Sequence, residues 1–407
     1  MFVYLGLDFG TSSTKTIVRL PFEAGEPTIA IPAPASCRSG EDPYLWQTVL
    51  WLRAGGTFCP WPEPGATALH SLKQGLIQGR SDTAIFDGKL AASVSRAQAG
   101  VAYLAFVIRH AKGWLAHNRP DLFRGREPIW LVNLGMPTAS YDDRQLVRPY
   151  RRVGAAALLL SKIDAQVTVE ATCMSLNHPD VIRAGASEEA DEALAVTVLP
   201  EAAAEMTGFA KSTRRAPGLY LLADVGAMTL DACMFRLTSN GTSGDLYEFM
   251  AAQVRPLGVD SYHWFLTEGK TESGFVGQCD RMLREIVWHT RKRRCPEAET
   301  WIRGNDVPVF LAGGGAANRL HQNVVESLGP WLRQHVGNQG VRVLELPVPG
   351  TIELPELLND FGRMAVAWGL SYPPTEIGRI RPMRDIEDAP PPPVRDLSNR
   401  YISKDQV

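Results

Sequence analysis

Phe2-Val3-Tyr4-Leu5-Gly6-Leu7 runs directly into Asp8-Phe9-Gly10-Thr11-Ser12-Ser13-Thr14-Lys15, and then into Thr16-Ile17-Val18-Arg19-Leu20. The first six residues are apolar and β-branched, the signature of a short buried strand, and the last five read the same way. Between them lie an acidic residue, a glycine and a run of Thr and Ser, so the unit is a hairpin with a tight, donor-rich tip. Backbone N–H and hydroxyl donors in such a turn can cradle phosphate oxygens. A carboxylate there can hold the waters of a Mg²⁺ that bridges those oxygens. Lys15, seven positions after Asp8, adds a cation able to reach the same oxygens. On this stretch alone, a plain hairpin with a polar tip is an equal reading.

The same grammar returns two hundred residues later. Leu219 to Ala223 is a strand, Asp224-Val225-Gly226-Ala227-Met228-Thr229-Leu230-Asp231 is a turn, and a second strand runs through Leu237. This internal repeat points to two related halves. A third strand, Val307 to Leu311, ends in Gly313-Gly314-Gly315 before a helix from about Arg319. That glycine run allows close backbone approach to a ring or ribose and offers a helix N-terminus to a phosphate.

The intervening text fills in the layers. Helices are predicted from about Ser95 to Asn118, with Pro120 beyond the end, and from Arg144 to Leu160. Strands are predicted at Ile129–Leu134 and Ala165–Thr172. Leu199-Pro200-Glu201 opens a further helix, with Pro and Glu in its first turn. Arg281 to Arg294 reads as a basic helix and Phe361 to Tyr372 as another. Pro21 to Gly88 is punctuated by Pro and Gly, an elaborated loop region or small subdomain. After Pro373 the run Pro390 to Pro393 and an even charge mix leave little to bury, so an extended or disordered tail is expected over 373–407.

Composition narrows the classes. The 407 residues are 45% apolar and 21% charged, a globular profile with room for more than one core. With 42 Lys+Arg against 44 Asp+Glu, the net charge of −2 disfavours a general binder of nucleic acid or anionic membrane. The longest apolar run, Val101 to Ile108, falls well short of the roughly 20 residues of a membrane span. The opening residues lack a basic region and cleavage site, so no signal peptide is expected. Six cysteines without CxxC pairs argue against zinc, iron–sulfur or disulfide scaffolds and fit a reducing compartment, so a cytoplasmic protein is expected.

Taken in order, these motifs resemble the actin, sugar kinase and seventy-kilodalton heat-shock chaperone superfamily of ATPases. The order matches the chaperone nucleotide-binding domain best. LGLDFGTSSTK resembles the first phosphate loop, LLADVGAMTLD the second and VFLAGGGAANR the adenosine loop. VNLGMPTASYDDRQ, VLPEAAAEMTG, RPLGVDSYHWFL and GRMAVAWGLS resemble further stretches of the family. SLKQGLIQG resembles the segment that holds a phosphate-contacting lysine, here Lys73. The likeness spans about Phe2 to Tyr372.

The resemblance implies an α/β fold of two lobes, actin-like and ribonuclease H-like, each a mixed sheet flanked by helices. Lobe I would span 1–218 and return through a helix at 355–372; lobe II would span 219–354 with a reduced upper subdomain. It implies ATP or ADP with Mg²⁺ in the cleft, and ATP hydrolysis. Asp8, Gly10, Thr11 and Ser12 would bind phosphates and metal waters. Asp224 would hold Mg²⁺ through water, as Asp8 would, while Gly226 and Thr229 donate to phosphate. Glu201 and Asp231 would orient the attacking water, with Lys73 and Lys15 neutralising charge. Gly313, Gly314 and Gly315 would pass beside the adenosine; the run Arg291–Arg294 reads as one exposed helix face, or, on the resemblance, as the source of a Lys or Arg near the adenine.

Three departures qualify the likeness. Lys15 matches actins, plasmid-partition filaments and sugar kinases rather than chaperones. Ala227 and Met228 stand where the second loop carries glycines, which weighs against turnover more than against binding. Nothing after Tyr372 resembles a peptide-binding domain. The expectation is a nucleotide-dependent switch acting on a protein partner of unknown identity. A polymerising, self-associating cytoskeletal ATPase, a small-molecule kinase and a non-hydrolysing scaffold are its rivals.

Overall fold

The computed structural model describes residues 1–85, 93–187, 195–239, 244–358 and 360–390. The opening hairpin forms as the sequence reads. β1 (Phe2–Phe9) pairs antiparallel with β2 (Ser13–Arg19), with Asp8 opposite Lys15. β2 pairs onward with β3 (Thr28–Ala30) and with β4 (Trp46–Gln47). The Pro- and Gly-punctuated region is a small subdomain: a three-stranded sheet of β5 (Leu50–Leu52), β6 (Phe58–Cys59) and β7 (Thr67–Leu69), followed by α1 (Leu72–Ile77).

α2 (Arg96–Asn118) starts where Ser95 predicts: its hydroxyl accepts the Gln98 N–H while the Gln98 side chain accepts the Ser95 N–H, closing a capping box. α3 (Pro120–Phe123), β8 (Ile129–Met136), α4 (Thr138–Tyr141) and α5 (Arg144–Leu160) follow. The strand predicted at Ala165–Thr172 is instead the approach to a helix, α6 (Val169–Leu176). The Thr168 hydroxyl accepts the Ala171 N–H, and that cap overrides the β-branched composition. α7 (Pro179–Ala186) precedes a strand that the sequence reading did not anticipate, β9 (Val196–Pro200), buried along its whole length. β1, β8 and β9 run parallel, giving the first sheet the order β3-β2-β1-β8-β9.

The second half repeats this plan. After α8 (Glu201–Ala210), β10 (Gly218–Val225), β11 (Leu230–Ser239) and β12 (Asp245–Arg255) form an antiparallel meander. α9 (Val259–Thr267) and α10 (Glu272–His289) lead to β13 (Val307–Ala312), α11 (Arg319–His335) and β14 (Val341–Leu344). β10, β13 and β14 are parallel. Placing β10, β11, β12, β13 and β14 on β1, β2, β3, β8 and β9 reproduces each pairing and its direction. The repeat inferred from two turns is thus a duplicated sheet, and the fold is a two-lobed α/β architecture with a mixed sheet in each lobe.

Alternation along the strands builds the layers. In β10, Leu219, Leu221, Ala223 and Val225 face a core with α10 and α11, while Tyr220 and Leu222 face α8. In the first lobe, α2 and α5 cover one face of the sheet. α12 (Ala365–Leu370) covers the other, packing on β1 and β2. α8 and α12 cross between the two sheets. Gly369 makes that crossing close: a Cβ there would sit 1.8 Å from the Ala204 carbonyl oxygen.

The expected tail is partly ordered chain. α13 (Pro374–Ile377) and β15 (Arg379–Arg381) follow Pro373, and β15 adds to the edge of the second sheet beside β12. Arg381 pairs with Glu248 at 3.0 Å, which supplies the partner that composition did not reveal. Residues 391–407 of that expectation lie outside the described residues. Among the described residues no helix is long and apolar enough to cross a membrane.

Candidate functional site

Asp8 and Asp224 hold equivalent places in the two sheets and reach one cavity between the lobes. From the first turn, Gly10, Thr11, Ser12 and Lys15 line it; from the second, Gly226 and Thr229 do so, joined by Ala227 and Met228. Lys73 of α1, Glu201 at the start of α8, and Gly313 and Gly314 after β13 also stand on its wall.

Both turns are tied back by their carbonyls. Thr48 donates its hydroxyl to the Gly10 carbonyl at 2.9 Å and its N–H to that of Ser12 at 2.9 Å. In the second turn, the Gly226 carbonyl accepts the Val259 N–H at 3.1 Å and that of Ala227 the Asp260 N–H at 2.7 Å. The Met228 carbonyl accepts the Ser261 hydroxyl at 2.6 Å. In a planar trans peptide the C=O and N–H point in opposite directions. Anchoring these carbonyls therefore turns the N–H groups of Thr11, Ala227, Met228 and Thr229 the other way, as an anion cradle requires. None of residues 226–229 has a positive φ, so this backbone does not demand the glycines that Ala227 and Met228 replace. Gly313, in contrast, has φ +78°, and a Cβ there would lie 1.9 Å from an Asp224 carboxylate oxygen.

Charge is concentrated on these walls. Lys15 donates to Asp8 at 3.0 Å, and Lys73, only 4% exposed, donates to Glu201 at 2.5 Å. Burial on its own lowers the Lys73 pKa, but the Glu201 and Asp8 carboxylates outweigh it, so the ammonium is held charged above its ordinary value. Asp224 is pushed up to about 7, first by removal from water and then by the neighbouring Glu201 and Asp8.

Two side chains that sequence reasoning passed over also line the cavity. Glu205 is 2% exposed, and neither carboxylate oxygen has a hydrogen-bond partner. It lies four residues after Glu201, hence on the same face of α8, a spacing visible in the sequence. Arg363, in the turn before α12, lies over the glycine run, its Nε 3.2 Å from where a Gly314 Cβ would be.

Three predicted groups stand outside the residues that line the cavity. Asp231 faces Asp224 across the β10–β11 pair, with the Thr138 backbone against its carboxyl, which burial pushes well above the usual range. Gly315 is also off the wall, because its N–H bonds the Val225 carbonyl at 2.7 Å and it packs on Val225 and Val259. The basic run Arg291–Arg294 sits at a different cavity, where Lys292 lies over Trp288 and Arg294 pairs with Asp388 at 3.1 Å. The cation over the glycine run is Arg363 instead.

The donor set of the cleft fits a hydrated divalent cation. Its oxygens are hard ligands, and an orphaned buried carboxylate such as that of Glu205 calls for positive charge or a proton. No group of three or more His, Cys, Asp or Glu side chains among the described residues is arranged to hold a bare ion. A cation here would keep its waters, with Asp8 and Asp224 accepting from them.

Neither a family model nor a curated protein matches the chain. Among solved structures, it is similar to MreB5 of Spiroplasma citri bound to ADP, at 11% identity over 90% of this chain and 94% of that one, with a TM-score of 0.42. The function is therefore read from the cleft itself.

Proposed function

We propose that this protein binds ATP with Mg²⁺ between its lobes and hydrolyses it, as an actin-like nucleotide-dependent ATPase. One observation carries the reading: the two acidic hairpin tips, from separate halves of the chain, meet at a single cavity whose walls hold both carbonyl-anchored turns. The turns donate to the phosphates from opposite sides, so one ligand ties the lobes together, and its loss releases them. Lys15 and Lys73 offset the charge that spreads over the transferring phosphoryl group. Glu201, held in place by Lys73, accepts from and orients the attacking water. Asp8 and Asp224 would hold Mg²⁺ through its waters, and the ion would supply positive charge against the phosphates. Arg363 and the backbone of Gly313 and Gly314 lie where the nucleoside would pass.

The output of such a cycle is either a surface offered to a protein partner or assembly of the chain with itself. Closeness to the chaperone branch gains no support from the fold or the cleft. The filament-forming reading has Lys15 in its favour, since this lysine sits at the phosphate turn, paired with Asp8. Phosphate release from Mg·ATP tests hydrolysis. Glu201→Gln is expected to bind nucleotide and to release phosphate at least about a hundredfold more slowly, the scale of a lost acid–base group; an unchanged rate contradicts the assignment. ATP-dependent light scattering above a critical concentration distinguishes the filament from the switch.

A further inference from the structure

Glu205 is an anomaly that the proposed chemistry does not use. It is nine-tenths buried and more, lines the cleft, and leaves both carboxylate oxygens without a hydrogen-bond partner among the described residues. Ala202, Ala203 and Ala204 separate it from Glu201, so α8 presents two carboxylates, one turn apart, to the same space. Glu201 is satisfied by Lys73, whereas no cation stands against Glu205. Burying an unpaired carboxylate is costly unless it takes up a proton or a cation enters to pair with it.

We propose that Glu205 is a cation-positioning residue: with Asp8 and Asp224 it accepts hydrogen bonds from the water shell of the divalent ion that accompanies the nucleotide. This rests on the reading of the cleft as a Mg²⁺–nucleotide site, and adds to it a carboxylate from the helix that joins the lobes. Because α8 leaves β9 of one sheet and packs on the other, a cation bonded through Glu205 reports directly to the element that links them. The role is one of holding a hydrated ion through its waters.

The test is binding of a fluorescent ADP to the full chain across a MgCl₂ titration, with an EDTA arm, for wild type, Glu205→Gln and Glu205→Asp. Glu205→Gln is expected to raise the Mg²⁺ concentration for half-maximal binding about tenfold, the usual cost of losing a residue that orients a metal's shell. Metal-free binding should be unchanged or tighter, because a negative charge has left the phosphate site. Where the amide variant does not fold, Glu205→Asp, whose carboxylate is drawn back by one methylene, should shift the midpoint the same way. A wild-type Mg²⁺ midpoint in the folded variants overturns the role of Glu205 and leaves the proposed function standing. Wild-type protein that binds no nucleotide in any arm overturns the proposed function and this inference together.

Discussion

Lys73 and Glu201, 128 residues apart in sequence, form a buried ion pair that joins the small subdomain of the first lobe to the first turn of α8. Removing one partner of such a pair strands the other charge, at a cost of about 3–5 kcal/mol. Lys73→Met should lower stability in urea by that amount. Lys73→Met combined with Glu201→Leu should recover most of the loss, since the stranded carboxylate is gone. Equal losses for single and double variants would show that the pair does not couple these elements.

The α8–α12 crossing depends on a missing side chain. With a Cβ at position 369 only 1.8 Å from the Ala204 carbonyl, Gly369→Ala must push the helices apart. Overpacking of this kind costs about 1–3 kcal/mol. Thermal melts should show the drop, whereas Gly113→Ala, where a Cβ meets nothing within 4 Å, should be neutral or stabilising.

Residues 374–389 act as a strap from one lobe to the other. β15 pairs with β12 of the second sheet, while the Arg384 N–H donates to the Asp142 carboxylate at 2.7 Å and its guanidinium to the Tyr141 carbonyl at 3.0 Å, just beyond β8 of the first. Arg384→Ala should speed amide hydrogen exchange across Thr138–Asp142 and leave β10 and β11 unchanged. Global stability should move by less than about 1 kcal/mol, because the contact is exposed.

Lys112 provides a pH signature away from the cleft. Burial first, then the nearby Lys162 and Arg109, bring its pKa down from 10.5 to about 8. The unfolded chain therefore holds more protons between those values, and stability attributable to this lysine rises with pH across that window. Lys112→Met should raise the melting temperature at pH 7, and the advantage should shrink as pH climbs towards 10. A constant difference at every pH would contradict the assignment.

What the sequence disclosed and what it withheld divide along physical lines. The two hairpins were legible because each packs a period-2 apolar strand against an acidic, small-residue turn, and such local patterns need no tertiary information. The Ser95 cap was legible for the same reason. Ala165–Thr172 misled because β-branched composition reads as strand, while the deciding hydrogen bond, from the Ala171 N–H to the Thr168 hydroxyl, is invisible in composition. Asp8, Asp224, Lys73 and Glu201 were each nameable by motif, yet only the duplicated sheet brings them to one cavity. Glu205 hid in an alanine-rich stretch that reads as packing. The partner of the basic run, Asp388, was hidden because it belongs to a strap that composition assigned to an extended or disordered tail.

The central claim is that two carboxylates from different halves serve one metal-bound nucleotide, and calorimetric titration of Mg·ATP tests it most directly. Asp8→Ala and Asp224→Ala should each weaken binding about 10- to 100-fold, the range for residues that orient a bound metal's waters. Their effects should be less than additive, because both act on a single ion. Wild-type affinity in both variants would contradict the account.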